Sequence, residues 1–467
     1  MKKWGYLVLL LCCLDSRQLW AEPTGDENAD LNLIPKSVET AITEPLQEGG
    51  SRLSGKAFIE DALTGWLNKR LLVPVPSPSL SPSWQNRTSL DVDYSWQAGE
   101  KIRLNVSDRL NAIEGDTITF PSGNNVRNDF REGYLSWEIL PRTYLEAGRI
   151  NLKNGVALGY NPTDFFKPRT TVDIASIDPS ALREDRLGAL MVKGQKIWDN
   201  GAATLAYSPK VESESSLPIT QHKSFAPLFG QTNSDNRFLA SLSYNIADIN
   251  PQALVFFDNN GTHIGMNVSR VLSSSIVAYA EWSGVREASL TKRAVIFGQT
   301  TGSLPQGAPL LPQTAPGKSF QNDLALGASW TSSFKLTVNL EYHYHQAGFG
   351  ASDFNRWVSL GSINPLLASE FWFIRQYSID QQEPLMEHEI FLRFDWQDII
   401  PSKLNVGAVI FISPYDASVL YQASAQYFIS RRWTVGLYLG NGLGGANTVN
   451  GSLPWSASGV LQIVRYF

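Results

Sequence analysis

Three side chains that could do acid–base or metal chemistry lie at alternate positions of one short segment: Glu341, His343 and His345. Alternate residues of an extended strand share a face, so these groups would lie side by side. Two imidazoles could share a metal ion, and a histidine with a carboxylate could serve a hydrolase. However, the chain has no G-x-S-x-G, H-E-x-x-H or other nucleophile signature. The sequence therefore predicts no catalytic residue, no metal site and no cofactor here, only polar groups on one strand face.

A second group of charged side chains also falls at alternate positions, and its sign changes from one segment to the next. The group comprises Asp91 and Asp93, then Lys101, Arg103 and Arg109, then Glu132 and Glu138, then Glu146 and Arg149 if Gly148 forms a bulge. One interpretation is cross-strand ion pairing, worth about 0.2–1 kcal/mol for each pair. The other is a transverse electric field across a narrow water-filled passage.

Both interpretations need strands, and the sequence after residue 85 has the period of strands. The clearest example is 335–345, where Leu336, Val338 and Leu340 alternate with polar residues. Similar segments begin at Ser89 and Lys101, and about seventeen follow this template. Strands of about ten residues, apolar on one face and polar on the other, are typical of a closed antiparallel transmembrane β-barrel.

The start of the barrel is less regular. The segment 52–60 is predicted to be an upward strand that makes the strand number even, and it gives about 18 strands, with 16 as the alternative. The competing interpretation is an amphipathic helix, because Ile59, Leu63, Trp66 and Leu67 also have helical spacing; a strand at the start with a helix after it combines the two. The predicted barrel covers residues 52–467, after a flexible periplasmic segment at 22–51.

The connections alternate between short and long. Short turns follow Trp96, Leu140 and Trp198, whereas long loops cover about 154–186, 210–236, 286–322 and 348–387. Outer-membrane barrels have short periplasmic turns and long extracellular loops, which gives each strand a direction. Six tryptophans lie near short turns and predict an interfacial belt. They are Trp96, Trp137, Trp198, Trp330, Trp396 and Trp433.

The loop at 154–186 is the predicted constriction, because it is long and rich in charge. Its charged residues include Asp164, Arg169, Asp173 and Arg183. Folded inward, it would narrow the lumen; the alternative is an external cap that never enters it.

The amino terminus indicates export. Residues 1–21 carry Lys2 and Lys3, an apolar run and a small residue, Ala21, as in a secretory signal peptide. Both cysteines, Cys12 and Cys13, lie in this signal, so a disulfide in the mature chain is excluded. The remainder has no apolar run of about 18 residues, which a membrane-spanning helix needs. The net charge of −5 and the absence of a basic stripe argue against nucleic acid as a partner.

One segment also resembles a known family. The run FREGYLSWEILPRTYLEAGRINLKNGVALGYNPTDFF, residues 130–166, is similar to a segment of large Gram-negative outer-membrane barrels of the porin and alginate-export type. Those barrels carry R-E-x-Y-L-x-W on one strand, G-R at the end of the next and N-P-x-D-F in the following loop. The carboxyl-terminal Phe467 resembles their assembly signature. The resemblance implies a channel-forming barrel without naming a substrate.

The sequence thus predicts an outer-membrane channel rather than an enzyme. Its partners would be the lipid bilayer and either a small hydrophilic or charged solute or an exported polymer. The sequence is also compatible with a homo-oligomer. The predicted pore-lining residues are Arg103, Arg109, Glu132, Glu138, Glu146, Arg149, Asp164, Arg169, Asp173 and Arg183. The alternatives are a barrel hydrolase that uses His343 and His345, and a surface-interaction barrel that acts through its long loops.

Overall fold

A single closed sheet of 18 antiparallel strands forms the body of the protein in a computed structural model. The model describes residues 53–77, 81–116, 125–172, 174–215, 224–247, 249–306 and 317–467. The predicted signal peptide and the segment 22–51 lie outside the described residues, as do Asp173 and residues 307–316. Each strand pairs with its neighbours in the chain, and β1 pairs with both β2 and β18, which closes the sheet into a barrel.

The strands are β1 (Leu53–Asn68), β2 (Trp84–Ala98), β3 (Ile102–Gly115), β4 (Val126–Leu140), β5 (Thr143–Ile150), β6 (Ala189–Trp198), β7 (Gly201–Ser208), β8 (Arg237–Tyr244), β9 (Ile249–Phe257), β10 (Thr262–Ser273), β11 (Ile276–Glu287), β12 (Ser319–Thr331), β13 (Leu336–His345), β14 (His388–Ile400), β15 (Leu404–Ile412), β16 (Val419–Ser430), β17 (Trp433–Leu443) and β18 (Trp455–Tyr466). The described helices are α1 (Pro179–Glu184), α2 (Phe229–Thr232), α3 (Leu290–Thr301), α4 (Ala351–Gly361) and α5 (Pro365–Gln381). The predicted number of 18 strands is confirmed.

The first strand is longer than the sequence indicated, and the helix proposed after it is wrong. Strand β1 continues to Asn68 because its second half has partners on both edges. Thr64 pairs with Val460 of β18 and with Gln85 of β2. Closure leaves no free sheet edge, and this double pairing outweighs the helical spacing of the apolar residues.

The two faces of the barrel have opposite character. On β13, Leu340 and Tyr342 are exposed on the outer face, whereas the residues that follow each of them, Glu341 and His343, are fully buried on the inner face. The same alternation recurs around the ring and gives an outer surface of large apolar side chains, as a barrel that faces lipid needs. Two acidic residues interrupt it: Asp61, which accepts a hydrogen bond from Thr88 Oγ1 (2.6 Å), and Asp108.

The two ends of the barrel also differ. At one end, called the short-turn end, the strands are joined by connections of two to four residues, and the carboxyl terminus lies there. The six predicted belt tryptophans are all within five residues of these connections. Five of them are exposed, namely Trp96, Trp137, Trp330, Trp396 and Trp433. The other end, the long-loop end, carries the helices.

Helices α3, α4 and α5 form a cap at the long-loop end. Phe354, Phe371, Ile374 and Leu290 are part of one apolar cluster that joins the three helices. Asn364 caps α5 by accepting a hydrogen bond from the Leu366 amide, and Pro365 occupies the first turn. Within the described residues, no helix is long and apolar enough to cross a membrane.

Candidate constriction and pore

The connection between β5 and β6, residues 151–188, crosses the interior of the barrel; it is called the constriction loop below. It leaves the wall at β5 and contacts β14, where Arg393 Nε donates a hydrogen bond to Asp178 Oδ2 (2.8 Å). In a ring of 18 strands, β14 lies nine strands from β5 in either direction, which is the opposite wall. Whether this loop enters the lumen was open from the sequence, and these contacts place it inside.

Two buried carboxylates of the opposite wall hold the loop by its backbone. Glu281 of β11 accepts hydrogen bonds from the Val156 (2.9 Å), Ala157 (3.1 Å) and Thr163 (2.7 Å) amides. Glu341 of β13 accepts from the next two amides of the loop, Leu158 (2.7 Å) and Gly159 (2.9 Å). Both carboxylates are fully buried and lie near the middle of their strands. The loop is therefore fixed about halfway along the barrel.

The backbone of the constriction loop approaches the Glu281 carboxylate so closely that residue 155 must be a glycine. Gly155 has a φ of 92°, in the left-handed region that favours glycine, and a Cβ atom there would collide with the Glu281 carboxylate. The loop backbone can thus reach the carboxylate that binds the following amides.

The quoted N-P-x-D-F motif folds the loop on itself. Asn161 Nδ2 donates to the Ala157 carbonyl, and Thr163 Oγ1 donates to Glu281 (2.8 Å). Asp164 accepts two hydrogen bonds from Arg186 (2.8 and 3.0 Å), and both side chains are buried. Phe165 stacks on Phe256 of β9, with ring centroids 4.9 Å apart. The motif therefore belongs to the architecture of the constriction.

The wall of β1 to β4 contains a buried network of ion pairs. Arg109 lies 2.8 Å from Glu60 and 3.5 Å from Asp91, and Arg131 bridges Asp91 (2.7 Å) and Asp185 of the constriction loop (2.9 Å). The Arg and Asp91 side chains of this network are at most 4% exposed. Their charges are compensated within the wall, in line with the cross-strand interpretation.

The other predicted pore residues are spread along the barrel. Glu132 accepts from the Asn151 amide (2.7 Å), and Glu146 pairs with Lys193 (2.6 Å). Arg149 donates to the Gly188 (2.9 Å) and Pro227 (2.8 Å) carbonyls. Arg103 and Glu138 lie near the short-turn end, where Glu138 accepts from the Arg142 amide (2.9 Å). Arg169 of the constriction loop packs against α3, with its guanidinium 5.0 Å from the Phe297 ring. Asp173 lies outside the described residues.

Asp164 and Arg183 are the two predicted residues that line an open cavity. This long-loop cavity, of about 500 Å³, lies between the constriction loop and α5. A second cavity of about 280 Å³, the short-turn cavity, lies on the other side of the loop against β14 to β17. Alternate residues of one loop segment face the two cavities: Ile177 and Pro179 the first, Ser176 and Asp178 the second. The segment 176–183 therefore separates two spaces on one side of the lumen.

The histidines that could have been catalytic are buried inside the wall. His343 shares hydrogen bonds with Glu341 (2.8 Å) and Glu389 (3.1 Å), and His345 with Asp323 (2.6 Å). Both side chains are at most 1% exposed, so neither lies on the outer wall. Among the described residues, no group of three or more His, Cys, Asp and Glu side chains could hold a metal ion.

Glu281 and Arg375 have central positions in the structure but are not among the site residues predicted from the sequence. Glu281 carries no local signal that sets it apart, because acids are common on the inner faces of these strands, as at Asp91 and Glu146. Arg375 lies on α5, within a segment interpreted only as a long loop.

Comparison with known proteins gives no sequence relative: no protein-family model and no curated protein matches the chain. Solved structures do match. OccK11 (OpdR) of Pseudomonas aeruginosa aligns with a TM-score of 0.50 and 9% identity, over 89% of this chain and 96% of that chain. A triple mutant of Rhodopseudomonas blastica porin aligns with a TM-score of 0.40 and 9% identity, over 89% of this chain and all of that one. The chain thus resembles outer-membrane porins in fold.

Proposed function

We propose that this protein is a channel of the bacterial outer membrane through which small hydrophilic or charged solutes diffuse. The observation that carries the proposal is the constriction loop, which crosses the barrel at mid-height and is fixed to the opposite wall. A barrel of 18 strands without such a loop would enclose a wide lumen. A loop held in this way leaves a passage of small-molecule size.

The passage runs along one side of the lumen. The long-loop and short-turn cavities lie on the two sides of segment 176–183, next to strands β14 to β17. The other side of the lumen, along β1 to β4, is occupied by a buried ion-pair network. A solute would therefore enter the long-loop cavity beneath α5 and leave through the short-turn cavity. Segment 176–183, which the Arg393–Asp178 hydrogen bond holds to β14, is the barrier between the two cavities.

The predicted site residues enter this proposal with different roles. Asp164 and Arg183 line the long-loop cavity, whereas Arg109, Glu146 and Arg149 shape the lumen from within the wall.

In the proposed orientation, the short turns face the periplasm and the signal peptide at 1–21 directs export. The lipid bilayer covers the apolar outer face, and a homo-oligomer is compatible with it. A polymer, the other cargo predicted from the sequence, would have to thread the same narrow passage.

Swelling of proteoliposomes in solutions of uncharged sugars tests the proposal. A pentose and a hexose are expected to enter and cause swelling, whereas a tetrasaccharide is expected to be retained outside. Protein-free liposomes and liposomes with heat-denatured protein serve as controls. Folded protein that permits no more pentose entry than these controls would exclude the channel.

A further inference from the structure

The long-loop cavity contains a buried arginine that no described carboxylate neutralises. Arg375 of α5 lines this cavity and is 8% exposed. Its guanidinium donates to Ser452 Oγ (3.1 Å) and to the Val449 carbonyl (3.0 Å), both neutral groups. The faces of Phe371 and Trp372 lie 5.5 and 5.7 Å from it. Among the described residues, Arg375 forms no salt bridge.

The acidic residues of the same cavity are all engaged elsewhere. Asp164 is bound by Arg186 through two hydrogen bonds, and Glu383 is bound by Arg293 in the same manner (2.8 and 3.2 Å). Glu389 lies 3.1 Å from His343. A buried charge is normally paired, because removing it from water is costly. Within the part of the chain that the structure describes, Arg375 thus lacks the counter-charge that its burial requires.

Arg375 nevertheless stays charged at neutral pH. Burial lowers the pKa of its side chain to about 10, which is still well above 7. The guanidinium has five N–H groups and uses two nitrogen atoms for its neutral partners. Donors remain that can bind an anion.

The rest of the cavity wall is largely apolar. Phe411 and Leu420 of the barrel wall, and Leu453 and Trp455 near β18, share the cavity with Arg375. Its volume of about 500 Å³ falls within the range typical of small-molecule sites. A positive group beside an apolar wall suits a solute that has a negative group on an apolar body.

We propose that Arg375 and the apolar wall of the long-loop cavity form a binding site for small organic monoanions, meaning a carboxylate or sulfonate carried on an aliphatic or aromatic body. The site lies on the path to the constriction, so an anion bound there would enter in preference to its neutral analogue. This inference rests on the proposed channel function and adds a substrate class to it.

The test uses single channels of the full-length mature protein in a planar bilayer. Cyclohexanecarboxylate is added on the long-loop side, and the concentration that halves the ionic current is measured. Cyclohexanemethanol has the same body without charge, and acetate has the charge without the body. Loss of a charge-assisted contact is worth roughly tenfold in affinity or more. We therefore expect half-block by cyclohexanecarboxylate at an at least about tenfold lower concentration than by either control solute.

Three variants separate a binding role of Arg375 from a structural one. Arg375→Gln can still donate to the Val449 carbonyl but has no charge, and it is expected to bind the carboxylate and the alcohol equally. Arg375→Lys keeps the charge and is expected to keep most of the preference. Arg356→Gln removes an exposed arginine from neighbouring α4 and is expected to leave the preference unchanged.

Several results would overturn the inference while leaving the channel intact. These are an equal effect of the carboxylate and the alcohol on the native channel, an equal effect of acetate, and an unchanged preference in Arg375→Gln. Absence of any current through the native protein would instead overturn the proposed channel function, on which this inference depends.

Discussion

At the scale of single residues, the position of the constriction loop depends on two buried acids that bind its backbone amides. Glu281 satisfies three loop amides and one hydroxyl, and Glu341 satisfies two amides and the Tyr279 hydroxyl (2.7 Å). Buried amides without partners are costly, and a carboxylate has acceptor sites for about four donors. Each acid therefore determines the path of several consecutive loop residues.

The substitution Glu281→Gln tests this role. The amide offers one acceptor oxygen and turns an NH2 group toward loop N–H donors, so at least one buried amide loses its partner, at a cost of about 1–3 kcal/mol. We expect a larger and noisier single-channel conductance, because the loop is released from the wall. The same substitution at Glu114, an exposed residue of β3, should leave the conductance unchanged. Equal conductance of both variants and the native protein would disprove the anchoring role.

The pair Asp164–Arg186 predicts how the constriction responds to acid. Burial acts to raise the pKa of Asp164, but Arg186 and Arg183 outweigh it, so the pKa lies below its usual value. A carboxyl with a lowered pKa contributes stability above its unfolded pKa of about 4 and loses it as the pH falls through the folded pKa. The rise in conductance that comes from loss of the Asp164–Arg186 pair should therefore occur only below about pH 4.

The variant Asp164→Asn is the control for that acid response. It leaves Arg186 without a counter-charge at every pH, so its conductance should already be raised at pH 7. The further rise in conductance below about pH 4 should be smaller than in the native protein. A native channel whose conductance rises with a midpoint above pH 5 would contradict the assignment to Asp164.

At the scale of elements, the alternation of the strands makes a quantitative prediction. Leu340 lies on the outer face near the middle of β13, whereas Ile429 lies on the outer face beside a short turn. An arginine facing lipid costs about 2–4 kcal/mol at the bilayer midplane and about 0–1 kcal/mol near its edge. Leu340→Arg should therefore lower the free energy of unfolding in lipid vesicles by about 2–4 kcal/mol, and Ile429→Arg by about 1 kcal/mol at most. Equal effects of the two substitutions would contradict a membrane-spanning outer face.

The strands and short turns could be predicted from the sequence because a period of two is a local signal. The helices of the long loops were missed, although Asn364 and Pro365 carry ordinary signals for a helix start. The anchoring of the constriction loop is a different problem. Thr163 and Glu281 are 118 residues apart, and they meet only because the ring of strands closes. No local pattern determines that contact, and the same holds for Arg375 and Ser452.

At the scale of the whole molecule, the barrel is asymmetric across its lumen. Strands β1 to β4 carry a compensated ion-pair network, whereas strands β14 to β17 border the open cavities. The constriction loop joins the two halves, with Asp185 paired to Arg131 on one side and Asp178 to Arg393 on the other. The cap contacts the loop as well, since Gln382 Nε2 donates to the Lys167 carbonyl (2.7 Å). Lumen width thus depends on one loop with several anchors.

The most direct measurement of the central claim is the conductance of single channels in a planar bilayer, for the native protein and for a variant that lacks residues 161–178. We expect discrete current steps for the native protein and larger steps for the variant, because the deleted segment spans the lumen. A heat-modifiability shift on a gel would verify that both barrels are folded. Folded protein that inserts but gives no current steps, with or without residues 161–178, would contradict the account.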